Sequence, residues 1–234
     1  MHEYSPLLEF AHTLHWYALA FMGIVYAVRV TWFLKRFKAG GERQASTGIP
    51  GLTTPKRGIV YSLGNVAMPW AMESSRRNLF FYVQFVAFHL GVTAAILLLF
   101  LIPLAPELLE SESVVLGLRI PIAAAFLVGV KRIVRRFRDP HMRAISTPDD
   151  YFSLILLTVW FVFAFLAVPN STANGEWHLL GYFFLASFFL VYVPFSKISH
   201  YLYYPFTRFY IGKSLGHRGV FPLVRGPIHG QGQG

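Results

Sequence analysis

The run Trp177-His178-Leu179-Leu180-Gly181-Tyr182-Phe183-Phe184-Leu185-Ala186-Ser187-Phe188-Phe189-Leu190-Val191-Tyr192-Val193-Pro194-Phe195-Ser196-Lys197-Ile198-Ser199-His200, continued to Tyr204, decides the class of the chain. About 20 apolar residues cross the ~30 Å hydrocarbon layer of a bilayer, so this run predicts a membrane-spanning helix. The expectation is one helix over 177–204. On it, His178 and His200 would stand about 33 Å apart along the axis and return to within about 40° of one azimuth. One imidazole near each membrane face, on one stripe of one helix, suits two stacked haems.

The whole chain agrees with that class. Its 234 residues are 55% hydrophobic, 17% aromatic and only 14% charged, and the mean hydropathy is +0.48. Such a chain lacks the polar surface of a soluble domain and reads as an integral membrane protein. It contains no cysteine. That excludes a disulfide framework, an iron–sulfur cluster held by this chain, and a c-type haem attached through C-x-x-C-H. A redox centre would be held by histidine or sit in a partner. The net charge of +10 reads as topology rather than nucleic-acid binding, because Lys and Arg bunch in the links between apolar runs. The N-terminal Met1-His2-Glu3-Tyr4-Ser5-Pro6 shows neither a basic n-region nor a small-residue cleavage site, so no cleaved signal peptide is expected.

Five spans are expected, at about 7–34, 78–103, 114–134, 151–168 and 177–204. Together they predict an all-α, five-helix transmembrane bundle, one domain over residues 1–225, with a disordered tail at 226–234. The link 35–77, roughly 40 residues rich in Gly, Pro and basic side chains, is long for a bundle and reads as a docking segment. Ile59-Val60-Tyr61-Ser62-Leu63 and Met68-Pro69-Trp70 are its candidate interfacial pieces. Lys and Arg crowd this link, the third link and the C-terminal tail, but not the N-terminus or the second and fourth links. That places the N-terminus outside and the C-terminus in the cytoplasm. No internal repeat and no paired intramembrane carboxylates are visible, which disfavours a transporter.

The histidines carry the chemistry. His89, in Phe85-Val86-Ala87-Phe88-His89-Leu90-Gly91, falls about 16 Å up its helix, where an ionisable side chain is costly and kept for a reason. It reads either as an axial haem ligand, with Gly91 leaving room for a porphyrin edge, or as a histidine bonded to a neighbouring helix. His200 reads as a ligand near the cytoplasmic face, with Lys197 available to haem propionates, or as a wet interfacial residue. His178 lies at the outer boundary, as a ligand or a hydrated side chain. His12 and His15 share one face of the first helix at an outer depth; they supply a ligand, bond a quinone oxygen, or are interfacial. His2, His141, His217 and His229 fall in polar segments and are expected to be solvated. A zinc or copper site would need ligands clustered within a few ångströms, whereas these spread over the membrane depth, which suits haem better.

Two stretches resemble the gamma subunit of respiratory nitrate reductase and its relatives, the membrane cytochromes of heterodisulfide-reductase-like and sulfite-reductase-associated complexes. Arg135-Arg136-Phe137-Arg138-Asp139-Pro140-His141-Met142-Arg143-Ala144-Ile145-Ser146-Thr147, running into Asp149-Asp150-Tyr151, resembles the family's third-loop region. Pro194-Phe195-Ser196-Lys197-Ile198-Ser199-His200, with Tyr203-Tyr204-Pro205, resembles its fifth-helix ending. The resemblance implies a dihaem cytochrome b whose ligands come from the second and fifth helices. His200 matches the inner fifth-helix ligand, and His178 is similar to the outer one but lies about a turn further from the Pro194–Lys197 motif. The second helix departs from the pattern, since Phe81 stands where the inner-haem ligand would fall. Either the inner haem is missing, or His89 pairs with His200 and the outer haem draws on His12 or His15 with His178.

The expected function is therefore a b-type cytochrome subunit of a respiratory redox complex in the cell's inner membrane, carrying two haems or one. Quinol would bind near the outer face, where Arg119, Glu9 and the first-helix histidines are candidates to bond its oxygens or take its protons. Bis-histidine ligation leaves no open iron position, so O₂ chemistry is not expected. Electrons would pass to a cytoplasmic iron–sulfur partner docked on the basic loops of a hetero-oligomeric complex. The rival is a haem-free membrane anchor whose partners do the chemistry.

Overall fold

The computed structural model describes residues 5–36, 53–71 and 73–222. Helices account for its regular structure: α1 Pro6–Arg36, α2 Pro55–Gly64, α3 Glu73–Arg77, α4 Leu79–Leu104, α5 Glu112–Arg138, α6 Pro140–Ile145, α7 Pro148–Ala167, α8 Trp177–Tyr192 and α9 His200–His217. No strand occurs among the described residues. Five segments are long and apolar enough to cross a membrane: Pro6–Arg36, Leu79–Leu104, Glu112–Arg138, Pro148–Ala167 and Trp177–Phe195. The protein is thus an all-helical, multi-pass membrane protein. The tail expected to be disordered, 226–234, lies outside the described residues.

The chain divides into two compact units, one from Met1–Thr31 and Phe80–Ser199, the other from Trp32–Leu79 and His200–Gly234. In the first, the Ser5 amide donates to Glu176 at 3.0 Å and the Arg29 guanidinium donates to the Pro194 carbonyl, so α1 runs parallel to α8. Tyr192 at the end of α8 donates to Asp149 at the start of α7, and Arg119 near the start of α5 reaches the Phe165 carbonyl near the end of α7 at 3.4 Å. Lys131, late in α5, lies 4.0 Å from the ring centre of Phe80, early in α4. Successive spans therefore alternate in direction. One end of the unit gathers the starts of α1, α5 and α8. The other gathers the starts of α4 and α7 with the ends of α5 and α8, and carries the basic cluster.

The core is aromatic. Phe161, Tyr182 and Phe183 are fully buried, and the Trp160 ring lies parallel to Tyr182 at 5.8 Å between centroids. Burying a phenol or an indole requires a partner for its polar handle. Tyr182 donates to the Ala95 carbonyl at 2.6 Å, and the Trp160 Nε1 to the Tyr182 carbonyl at 3.3 Å. Gly91 corrects one expectation: its missing side chain makes room for α5, not for a macrocycle. A Cβ there would stand 2.5 Å from the Pro121 carbonyl oxygen.

The fifth span is shorter than expected. The helix ends at Tyr192, short 3-10 turns cover Val193–Phe195 and Lys197–Ser199, and a separate helix begins at His200. Pro194 has no N–H to continue the ladder, and Ser196 turns to extended backbone at φ −101° and ψ 171°. His178 and His200 thus stand on different helices, and their shared azimuth has no basis.

In the second unit, α2 occupies the residues expected as an interfacial piece at 59–63 and packs on α9. The approach is through small residues: a Cβ on Gly212 would meet the Gly58 oxygen at 2.6 Å, and one on Gly216 the Thr54 oxygen at 2.6 Å. Arg208 Nε donates to the Ser62 carbonyl at 2.9 Å. Phe33, from the last turns of α1, packs on Tyr203 and Phe206 with centroids 5.6 and 5.3 Å away.

Candidate functional site

At the end marked by Ser5 and Glu176, α1 lays Leu8 and Ala11, both fully buried, against the bundle. One turn further along stand His12 and His15. His15 is sealed, with 1% of its surface exposed, between its own neighbour Trp16 at 4.5 Å and Phe183 of α8 at 5.2 Å. His12 packs on the same Phe183 ring at 4.3 Å. The His15 Nδ1 lies 2.7 Å from the His12 carbonyl oxygen. A carbonyl only accepts, so that nitrogen carries the proton, and His15 Nε2 is left buried with no hydrogen-bond partner. His178, the second residue of α8, is also buried, edge-on to Trp177 at 5.5 Å. By helical rise it lies about 7 Å nearer the end than Phe183. Phe183 thus brings His12 and His15 to one aromatic wall, with His178 a turn away on the helix that supplies it.

His89 is placed differently from its expectation. It sits on an exposed face of α4 rather than in a slot between helices. Its Nδ1 lies 2.7 Å from the Phe85 carbonyl, one turn back on its own helix, and its ring covers Phe85 at 4.1 Å. The bond goes to its own helix, so neither an interhelical bond nor an enclosed pocket describes it. The hydrogen bond of its ring among the described residues is made by Nδ1. Phe81, where the resemblance implies a ligand, lies instead under the Arg135 guanidinium at 5.0 Å.

The two stretches that carried the family resemblance meet in space. Asp150 accepts from the Thr147 amide and hydroxyl, both at 2.8 Å, capping the first turn of α7. Lys197 Nζ lies 2.9 Å from the same carboxylate and 2.8 Å from the Thr147 hydroxyl. The Lys197 amide reaches Asp149 at 3.4 Å. Lys197, expected to be available to haem propionates, is thus committed to the start of α7, and its task is to hold the turn after α8. Thr147-Pro148-Asp149-Asp150 is a capping box with Pro at the first helical position, a signal legible in sequence. His200 opens α9 in the second unit and is exposed.

Of the residues expected at a quinol site, Arg119 is half-buried, its guanidinium 5.0 Å over the Phe165 ring. Glu9 is exposed in the first turn of α1, at the same end of the unit. Glu176 has its carboxyl held below the usual carboxylate range by the bond from the Ser5 hydroxyl and then by the Ser5 amide. Among the described residues no three of His, Asp and Glu converge as a metal-ion site.

The chain is similar to a protein of Nitratidesulfovibrio vulgaris (strain Hildenborough) named only "Protein". The two are 28% identical over 208 residues, covering 83% of this chain and 86% of that one. No family model matches the chain, and no solved structure matches it.

Proposed function

We propose that this chain is a b-type cytochrome subunit of a membrane redox complex, passing electrons between quinol in the bilayer and an iron–sulfur partner at the basic end, which we take as cytoplasmic. The observation that carries this reading is the common state of His15 and His89. In each, Nδ1 is 2.7 Å from a carbonyl of its own helix, which places a proton on Nδ1 and turns Nε2 into the nitrogen that would bind iron. Metal-bound histidines use their other ring nitrogen in this way, to set tautomer and orientation. An imidazole nitrogen left without a partner at membrane depth is costly, so a group that accepts its lone pair accounts for both positions. His15 and His89 would hold haem iron, with His178 and His12 as the histidines nearest to complete a pair with His15. The family resemblance adds His200.

Bound haem would supply a one-electron centre. The chain's own residues do the rest. Phe183 and Trp16 exclude water from His15. In this reading Glu9, exposed at the same end, takes protons from quinol and Arg119 bonds its oxygen. The second reading, a haem-free anchor, draws on the filled core, where Trp160, Phe161 and Tyr182 occupy the space between α4, α7 and α8.

A pyridine haemochrome spectrum of the purified chain decides between them. The cytochrome reading expects b-type bands in the wild type, a loss of about one haem per chain in His15→Ala or His89→Ala, and no change in His141→Ala, which alters an exposed histidine of the short helix α6. A wild-type protein without b-type bands would leave the anchor.

A further inference from the structure

At the basic end of the first unit, a cleft of about 250 Å³ opens between the start of α4 and the end of α5, lined by Phe81, Gln84, Lys131, Arg132, Arg135 and Arg136. Four cations thus face one small volume. Among the described residues, the carboxylate that makes an ion pair with them is Asp139, whose Oδ2 lies 3.6 Å from Arg135 Nε. That carboxylate is shared with the cap of α6, where it accepts from the His141 and Met142 amides at 2.9 and 3.4 Å. The Arg136 guanidinium donates to the Ser146 hydroxyl, a neutral partner. The cations are held in place by aromatic faces: Lys131 over Phe80 at 4.0 Å, Arg132 over Phe88 at 4.8 Å and Arg135 over Phe81 at 5.0 Å. Stacking on an aromatic face orients a cation but does not neutralise it. Like charges gathered at the edge of a low-dielectric layer call for a counter-anion.

We propose that this cleft binds the phosphate of an anionic phospholipid. Arg guanidinium groups match phosphate oxygens two at a time, and basic pockets between spanning helices at the membrane boundary are where acidic headgroups bind. The walls beside the cleft favour a lipid over an acidic protein segment. Val83 on α4 and Leu127, Val130 and Val134 on α5 are exposed apolar side chains, so the acyl chains of a lipid seated by its phosphate would run along helix surface that is already apolar.

The test is native mass spectrometry of the purified full chain offered phosphatidylglycerol or phosphatidylcholine. The wild type should retain phosphatidylglycerol selectively. Lys131→Gln and Arg132→Gln should each weaken that retention about five-fold, the value of one cation near an acidic headgroup. Arg138→Gln, which removes the same charge from an exposed position outside the cleft, should leave it unchanged. Since Arg132 is half-buried, the exposed Lys131→Gln variant keeps the test independent of folding. Equal losses in all three variants would reduce the effect to general surface charge and overturn the site. Lack of preference between the two lipids would overturn it too. Displacement of the lipid by millimolar inorganic phosphate would assign the cleft to a free anion, and binding of an acidic peptide in place of lipid to a protein partner; either would overturn the proposal as stated.

Discussion

His15 and His89 both give their Nδ1 proton to a carbonyl one turn back on the same helix, yet one ring is sealed and the other exposed. Their depth was readable from sequence position, but their facing was not. α4 is apolar around its whole circumference, and a helix without a polar face does not announce which side turns inward. The same limit explains Lys197: a lysine at a membrane boundary reads as available until the Thr147-Pro148-Asp149-Asp150 cap is seen to take it. At this scale the Ser5–Glu176 tie makes a prediction. The Ser5 hydroxyl and then its amide hold the Glu176 carboxyl below the usual carboxylate range in the folded state, so the tie adds stability above the unfolded carboxylate range and loses it as the folded group takes up its proton. Thermal midpoints of the wild type and Glu176→Gln should therefore differ near pH 7, and the gap should close below about pH 4. A gap that persists in acid would refute the tie.

Four of the five spans were legible as elements from length and apolar content, to within a few residues at most ends. The fifth was overrun. Apolar composition continues through Val193 and Ile198 to Tyr204, but Pro194 removes a ladder donor and the Asp149 and Asp150 carboxylates hold the turn after α8. Composition reports the environment of a segment, whereas continuity of a helix depends on single N–H groups and on partners far along the chain. The packing of α2 on α9 also had a signal that went unused: Gly212-Lys213-Ser214-Leu215-Gly216 is a G-x-x-x-G spacing, which lets helix backbones approach closely. Gly212→Leu should force α2 off α9 at a cost of about 1–3 kcal/mol, seen as faster trypsin cleavage at Lys56 and Arg57. Gly64→Ala meets only the end of the Met68 side chain, at 3.4 Å, and should leave cleavage unchanged. Equal protection in both variants would mean that the small residues do not set the packing.

Over the first unit as a whole, charge separates by end. Glu9, Glu107, Glu110, Glu112 and Glu176 fall at the end where α1 and α8 begin, with Arg119 the one Lys or Arg there among the described residues. Arg29, Lys131, Arg132, Arg135, Arg136, Arg138, Arg143 and Lys197 fall at the other, with Asp139, Asp149 and Asp150. That asymmetry predicts the basic end to be cytoplasmic. With no native cysteine in the chain, single-cysteine labelling has a clean background. In intact cells a membrane-impermeant maleimide should label Ala173→Cys, while Ile145→Cys, at a residue 73% exposed, should react only after permeabilisation. The reverse pattern would invert the orientation. On the proposed haem reading, the contrast between the two histidines also implies an order of assembly. A group held by His15, as proposed, would have to be in place while α1 docks, since afterwards Phe183 and Trp16 bar the way. A group held by His89, on the exposed flank of α4, would enter sideways once the helices have already come together.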